Sequence, residues 1–191
     1  MKTIPFDEVL KRLAVLTGDY KEISDDDLDE ISDWATLLAA RVVELWEDWE
    51  WNETCDISEV SVVADGKFKF IELDDSKMFL RAFNLDPREY DVALPALKVR
   101  QFGDKIRVPS DCKESVFVFW QERAPDYSGK RKPEIPAFLA DAAVELAYSD
   151  ILAQNGQLAK SQVRRNIGYA ARDRQMERQM RTREKTIRIR K

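Results

Sequence analysis

The side chains best equipped for chemistry in this sequence are cations gathered at one end. The last thirty-four residues hold twelve Lys/Arg against three Asp/Glu, whereas the first sixty hold five against seventeen, and the formal net charge is −5. Guanidinium groups pair bidentately with carboxylates. A chain polarised in this way can set a basic end against an acidic face, of a second copy or of a different protein. Residues 172–191 carry too little apolar surface to fold alone. Read as an arm that orders on a partner, they offer Met176 and Met180 as adaptable apolar anchors. Arg181, Arg183, Lys185, Arg188, Arg190 and Lys191 supply charge, and Ile187 and Ile189 alternate as a strand added to a neighbour's sheet edge would. The plainer alternative is a solvated chain end.

Several catalytic chemistries are closed to this composition, and an enzyme would have to use carboxylates or lysine. The chain has no histidine, which excludes Ser-His-Asp and Cys-His catalysis and every His-ligated metal site. Cys55 and Cys112 lie far apart without a CxxC pattern, and they read as reduced thiols in a core or strand-edge role. No GxxxxGK[ST], GxGxxG or GxSxG occurs, so neither a phosphate cradle nor a nucleophile elbow is expected. The acidic run Asp25-Asp26-Asp27, with Asp29 and Glu30, lacks EF-hand spacing and reads as helix capping with a solvated face. The expectation is a protein that is not an enzyme and needs no cofactor or metal. An alternative use of the tail is nucleic-acid binding through phosphates. Against that stand a pI near 5.1 and a tail without aromatic residues to stack on bases.

The elements that must position these residues follow from periodicity. Phe6, Val9, Leu10 and Leu13 predict a short helix over 5–16, stopped by Thr17-Gly18-Asp19. Ser24 or Asp25 caps a second helix over 25–50, whose seam is Leu28, Ile31, Ala35, Leu38, Val42, Leu45 and Trp49. Residues 57–122 alternate β-branched and aromatic with polar residues. Val60–Ala64 and Lys67–Ile71 flank Asp65-Gly66 as one hairpin, and Leu97–Phe102 and Lys105–Val108 flank Gly103-Asp104 as another. Met78–Phe83 and Ser115–Gln121 are further strands, and 84–96 and 124–135 are connectors. A helix then starts at Ile135-Pro136 with Leu139, Ala142, Ala143, Leu146, Ala147 and Ile151 as its apolar face. After Asn155-Gly156 a last helix begins near Leu158, with Val163, Ile167, Ala170 and Ala171 on one side.

The fold class is accordingly α+β, mainly α: a helical bundle with an inserted small antiparallel β-sheet and an extended C-terminal arm. The domain organisation is a bundle over 1–171 with the β-rich insertion at 57–122, followed by the basic arm 172–191. Trp46, Trp49 and Trp51 crowd the end of the long helix as a core plug, while Trp34 lies off the seam and suits a subunit contact. Asp26 and Asp29 on the acidic side, and Arg164 and Arg165 on the basic side, are the matching charged candidates for that contact. The N-terminus turns acidic at once with no signal-peptide core, and no run of about eighteen apolar residues predicts a membrane span.

The order of parts carries one resemblance. A short helix leads to a helix ending in Leu45-Trp46-Glu47-Asp48-Trp49-Glu50-Trp51, then a β-rich insertion, then the alanine-rich run Pro136–Leu152, a Gly156-Gln157 turn, a polar helix and a basic arm. This resembles the head–tail connector adaptors (head-completion or neck proteins) of tailed bacteriophages. The resemblance implies a helical bundle forming a ring of about twelve copies, with heterologous contacts between neighbours. It also implies a C-terminal segment that docks on the portal protein, and a tail or further neck protein on the other side. DNA would pass through the channel without specific binding. The location implied is the head–tail junction of the virion, after synthesis in the host bacterial cytoplasm. The β-insertion is larger than in the minimal all-helical adaptors.

Overall fold

The computed structural model of the chain describes residues 1–18, 28–51, 54–90, 94–129 and 132–189, with 28–32 and 182–189 described by backbone alone. The order begins β1 (Thr3–Ile4), α1 (Phe6–Thr17), α2 (Leu28–Glu47), β2 (Cys55–Ser61), β3 (Val63–Asp65), β4 (Phe68–Glu72) and β5 (Lys77–Phe83). It continues with β6 (Arg100–Phe102), β7 (Lys105–Val108), β8 (Ser115–Glu122), β9 (Ile135–Pro136), α3 (Ala137–Gln154) and α4 (Leu158–Ile189). The architecture is mixed α/β, with four α-helices and small antiparallel sheets among the described residues. It divides into two compact units: a helical one from Met1–Trp49 and Ala124–Thr186, and a β unit built on Glu50–Arg123.

In the helical unit, α1 buries Phe6, Val9, Leu10, Leu13 and Ala14, the 3–4 spacing seen in the sequence. Gly18 at φ 88° ends it in the left-handed conformation that only glycine takes without strain. Helix α2 buries Ala35, Leu38, Val42 and Leu45 of its predicted seam, and Trp49 is half-buried. The Ser24/Asp25 cap and the acidic run lie outside the described residues, as do the side chains of Leu28 and Ile31. Helix α3 is buried on nearly every side: besides the predicted face, Ala140, Val144, Ser149 and Leu152 are also covered. Both α1 and α2 pack on it. The two-residue ladder of β1 with β9 pairs Ile4 with Ile135, and Ala137 N–H donates to the Lys2 carbonyl at 3.0 Å, so the N-terminus is fastened to the start of α3.

Helix α4 corrects the sequence reading. Val163 and Ile167 face water at 59% and 40% exposure, and Ala170 is exposed with them. The inward face carries Ser161, Gly168 and Gln179. A Cβ placed on Gly168 would stand 2.8 Å from both Cγ and Cδ2 of Leu146, which is itself only 1% exposed. Close backbone approach to α3, rather than apolar packing, sets which side of α4 turns inward. The helix also runs unbroken through Arg172 to Ile189, so no break separates the bundle from the arm, and the backbone at Ile187 and Ile189 is helical rather than extended.

The β unit holds two sheets where one was expected. A three-stranded sheet runs β2-β8-β5 and a four-stranded one runs β3-β4-β7-β6. At Val62 the chain leaves the first sheet for the second, its N–H donating to the Glu114 carbonyl at 2.8 Å. Sandwich corners are commonly turned by a strand that changes sheets in this way. Ile71, Ile106 and Val108 from one sheet share a core with Ala82, Val116, Val118 and Trp120 from the other. The first hairpin is also shifted by one residue. Asp65 pairs with Phe68, so the loop is Gly66-Lys67 and the positive φ of 60° falls on its first position. The second loop, Gly103-Asp104, lies where the sequence predicted and has the same glycine-first pattern. Of the predicted Leu97–Phe102 strand only Arg100–Phe102 pairs; the Leu97 N–H instead donates to Ala82 O at 2.8 Å.

Replacing Gly168 tests the close approach of α3 and α4. Gly168→Ala gains about 1 kcal/mol of helix propensity against an overpacking cost of about 1–3 kcal/mol. Gly168→Val meets the same wall with bulkier atoms and a smaller gain. Urea unfolding should show Val costing at least about 2 kcal/mol and more than Ala, and a neutral Val variant would remove the steric argument.

Candidate interaction site

The charged residues singled out in the sequence converge on α4, and the first half of that helix spends them inside the chain. Asp150 on α3 accepts two hydrogen bonds from Arg41 of α2, at 2.7 Å from Nε and 2.8 Å from Nη2, and a third contact from Arg165 at 3.3 Å. Glu44 also accepts from Arg41. Hydrogen bonding to Asp150 drives the Arg41 guanidinium pKa above its usual value, against the opposing effect of its own burial. One turn away, Arg164 meets both oxygens of Glu145 at 3.2–3.3 Å and lies over the Tyr148 ring. Ser149 and Ser161 share a buried hydrogen bond of 3.2 Å. Arg172 reaches Asp48 at the end of α2, at 2.6 Å. Arg164 and Arg165, expected to face a neighbouring subunit, are therefore engaged within their own chain.

Trp34, the aromatic candidate for a subunit contact, is likewise interior, at 9% exposure. It borders an open depression of about 450 Å³ with Thr17, Tyr148 and Ile151. Among the described residues the charged groups lining that depression are Asp33 and Lys160, and no acid pair faces into it. Asp26 lies outside the described residues, and so does the side chain of Asp29.

Farther along α4 the character changes. Met176 is half-buried, Met180 is 45% exposed, and Arg181 extends into solvent beside Glu177 at 3.7 Å. The backbone positions of Arg183, Lys185, Ile187, Arg188 and Ile189 continue the helix, while their side chains, and all of Arg190 and Lys191, lie outside the described residues. The outward face adds a feature the sequence reading assigned to the core: Val163, Ile167 and Ala170 form an exposed apolar stripe. The signal that identifies this side as outward is the opposite one, where Ser161, Gly168 and Gln179 recur at helical spacing with small or neutral side chains suited to tight contact.

Groups that could do covalent chemistry are quiet. The Cys112 thiol is buried at 3% exposure, and desolvation raises its pKa, so it stays protonated at neutral pH. Burial pushes the Tyr127 phenol up to about 12 while its O–H donates to the Glu134 carbonyl at 3.1 Å. Among the described residues no cluster of three or more Cys, Asp or Glu converges as a metal site, and no helix is long and apolar enough to cross a membrane. No known family model and no curated protein matches this sequence.

The Asp150 network predicts an unequal pair of effects. Asp150→Ala strands Arg165 and most of the hydrogen bonding of Arg41, at a cost of about 2 kcal/mol. Glu145→Ala releases a single arginine, Arg164, held by longer contacts of 3.2–3.3 Å, at less than about 1 kcal/mol. Equal costs in denaturant titrations would mean that the Asp150 network holds the helices no better than the single Arg164–Glu145 pair does.

Proposed function

We propose that this chain is a structural adaptor of a tailed-bacteriophage head–tail connector. Copies join in a ring, the C-terminal segment docks on the portal protein, and the assembly links head to tail around a channel for DNA. In this reading the four helices are the bundle, the β unit is its insertion, and the residues from Arg172 onward are the arm.

The observation that carries the reading is the two-sidedness of α4. Its inner face is fastened by Asp150, Glu145 and Asp48, so the helix is rigidly seated. Its outer face leaves Val163, Ile167 and Ala170 in water, and Met180 is exposed farther along toward the basic end. Exposed apolar side chains in a row along a seated helix suit burial against a second protein, by the helix-in-groove mode or against another copy. Arginines beyond that stripe suit carboxylates on the partner.

Two changes separate the contacts. A chain truncated after Arg172 should keep its thermal transition and lose only the circular dichroism of the helical turns removed, but should lose binding to the portal protein of the same virus. Val163→Asp with Ile167→Asp should leave the monomer folded and reduce the mass of the assembled ring. Undiminished portal binding by the truncated chain would remove the arm from the function, and an unchanged assembly mass in the double variant would remove the stripe.

A further inference from the structure

The four-stranded sheet has one face in the core and one in water. Alternation sends Ile71, Ile106 and Val108 inward, and puts Phe68 and Phe70 of β4, Arg107 of β7, and Arg100 and Phe102 of β6 on the opposite side. The rings of Phe68 and Phe102 are 44% and 46% exposed. Each lies beneath a guanidinium: Arg107 is 3.8 Å from the Phe68 centroid and Arg100 is 5.3 Å from that of Phe102. An open groove of about 490 Å³ runs past Phe68, with Phe102 outside it, and takes in Lys67 and Lys98 as well as Arg100 and Arg107. Its one acidic lining residue among those described is Asp111.

Two details argue against an ordinary solvated face. Arg100 and Arg107 are direct cross-strand partners, a like-charge pairing that costs stability unless an anion sits between them. Among the described residues, none of Lys67, Lys98, Arg100 and Arg107 has a carboxylate partner, in a protein whose net charge is −5 and whose other arginines are mostly paired. The acids that share this face, Asp65 opposite Phe68 and Glu72 opposite Lys105, make no ion pair with these four among the described residues.

We infer that this face binds single-stranded nucleic acid without sequence preference. Four unpaired cations along a groove match successive phosphates. Exposed rings with guanidinium groups over them offer platforms for bases, the combination by which single strands are held on sheets. A duplex hides its bases and an acidic peptide has none, so neither would use the phenylalanines. The inference uses a different surface from the C-terminal arm and does not depend on the adaptor reading.

The test is fluorescence anisotropy of the full chain with a labelled oligothymidine of about twelve nucleotides, within the site sizes such platforms cover. A duplex of the same length and polyglutamate serve as competitors. Binding should favour the single strand over both, and log Kd should change with log salt with a slope magnitude of about 3, as four neutralised phosphates of a single strand give. Phe68→Ala and Phe102→Ala should each weaken it about tenfold. Arg100→Gln with Arg107→Gln should abolish it while leaving the melting temperature unchanged or raised, because a repulsion is removed. A tail variant, Arg181→Gln with Arg183→Gln and Arg188→Gln, should retain the preference for the single strand. No binding at low salt, equal displacement by polyglutamate or duplex, indifference to the phenylalanines, or loss of binding in the tail variant with the sheet variants unaffected would each overturn the inference.

Discussion

Helix α3 is covered on almost all sides, and a helix of that kind must be enclosed by other elements. Its alanines, Ala140, Ala142, Ala143 and Ala147, are what let several neighbours come close at once. Helices α1 and α2 meet it with conventional apolar stripes. Helix α4 meets it differently, through Gly168 against Leu146 and through a buried pair of serines. The central position of α3 thus shapes the unusual composition of its last neighbour: a side chain larger than hydrogen at 168 needs Leu146 to shift.

That composition has an electrostatic counterpart. A polar inner face gives α4 little hydrophobic reason to stay, and its place is held instead by directed contacts to Asp150, Glu145 and Asp48. Arg41 and Asp150 are partly shielded, so their bidentate pairing contributes more than a surface ion pair does. The exposed pair Arg181–Glu177 is of the weaker kind. The α4 contacts run from Arg164 to Arg172, so they seat the first half of the helix.

Much of this was legible in the sequence wherever one periodicity had a single physical reading. The stripe Phe6, Val9, Leu10, Leu13 and the seam Ala35, Leu38, Val42, Leu45 turned inward as their spacing required. Strands at Lys77–Phe83 and Ser115–Glu122 and the Gly103-Asp104 loop were equally plain. The failures are instructive because each involves two readings of one pattern. Asp65-Gly66 and Gly66-Lys67 both place glycine in a two-residue loop, and only the pairing of Asp65 with Phe68 decides between them. The run from Val60 to Ala64 reads as one strand, yet it serves two sheets, because the partner that captures its first half, β8, lies some distance along the chain. Val163 and Ile167 looked like core since apolar spacing carries no sign, and the small residues that mark the true inner face leave no hydrophobic signal. Trp34, read as a subunit contact because it lay off the seam, is 9% exposed within the helical unit. The cations of the four-stranded sheet escaped notice because they come from three separate stretches, brought together only by pairing β4 with β7 and β7 with β6.

One ladder has a consequence for how the chain tolerates its own layout. Cys55 pairs with Gln121, and the Glu122 N–H donates to the Thr54 carbonyl at 2.8 Å. The two points where the polypeptide crosses into and out of the β unit are therefore neighbouring strands, spaced about 5 Å apart. A long excursion whose ends are pinned side by side imposes on its host the closure entropy of a tight turn, not that of a floppy segment of the same length. The excursion therefore leaves and returns at one place, and its far end can vary in size or surface without changing that attachment.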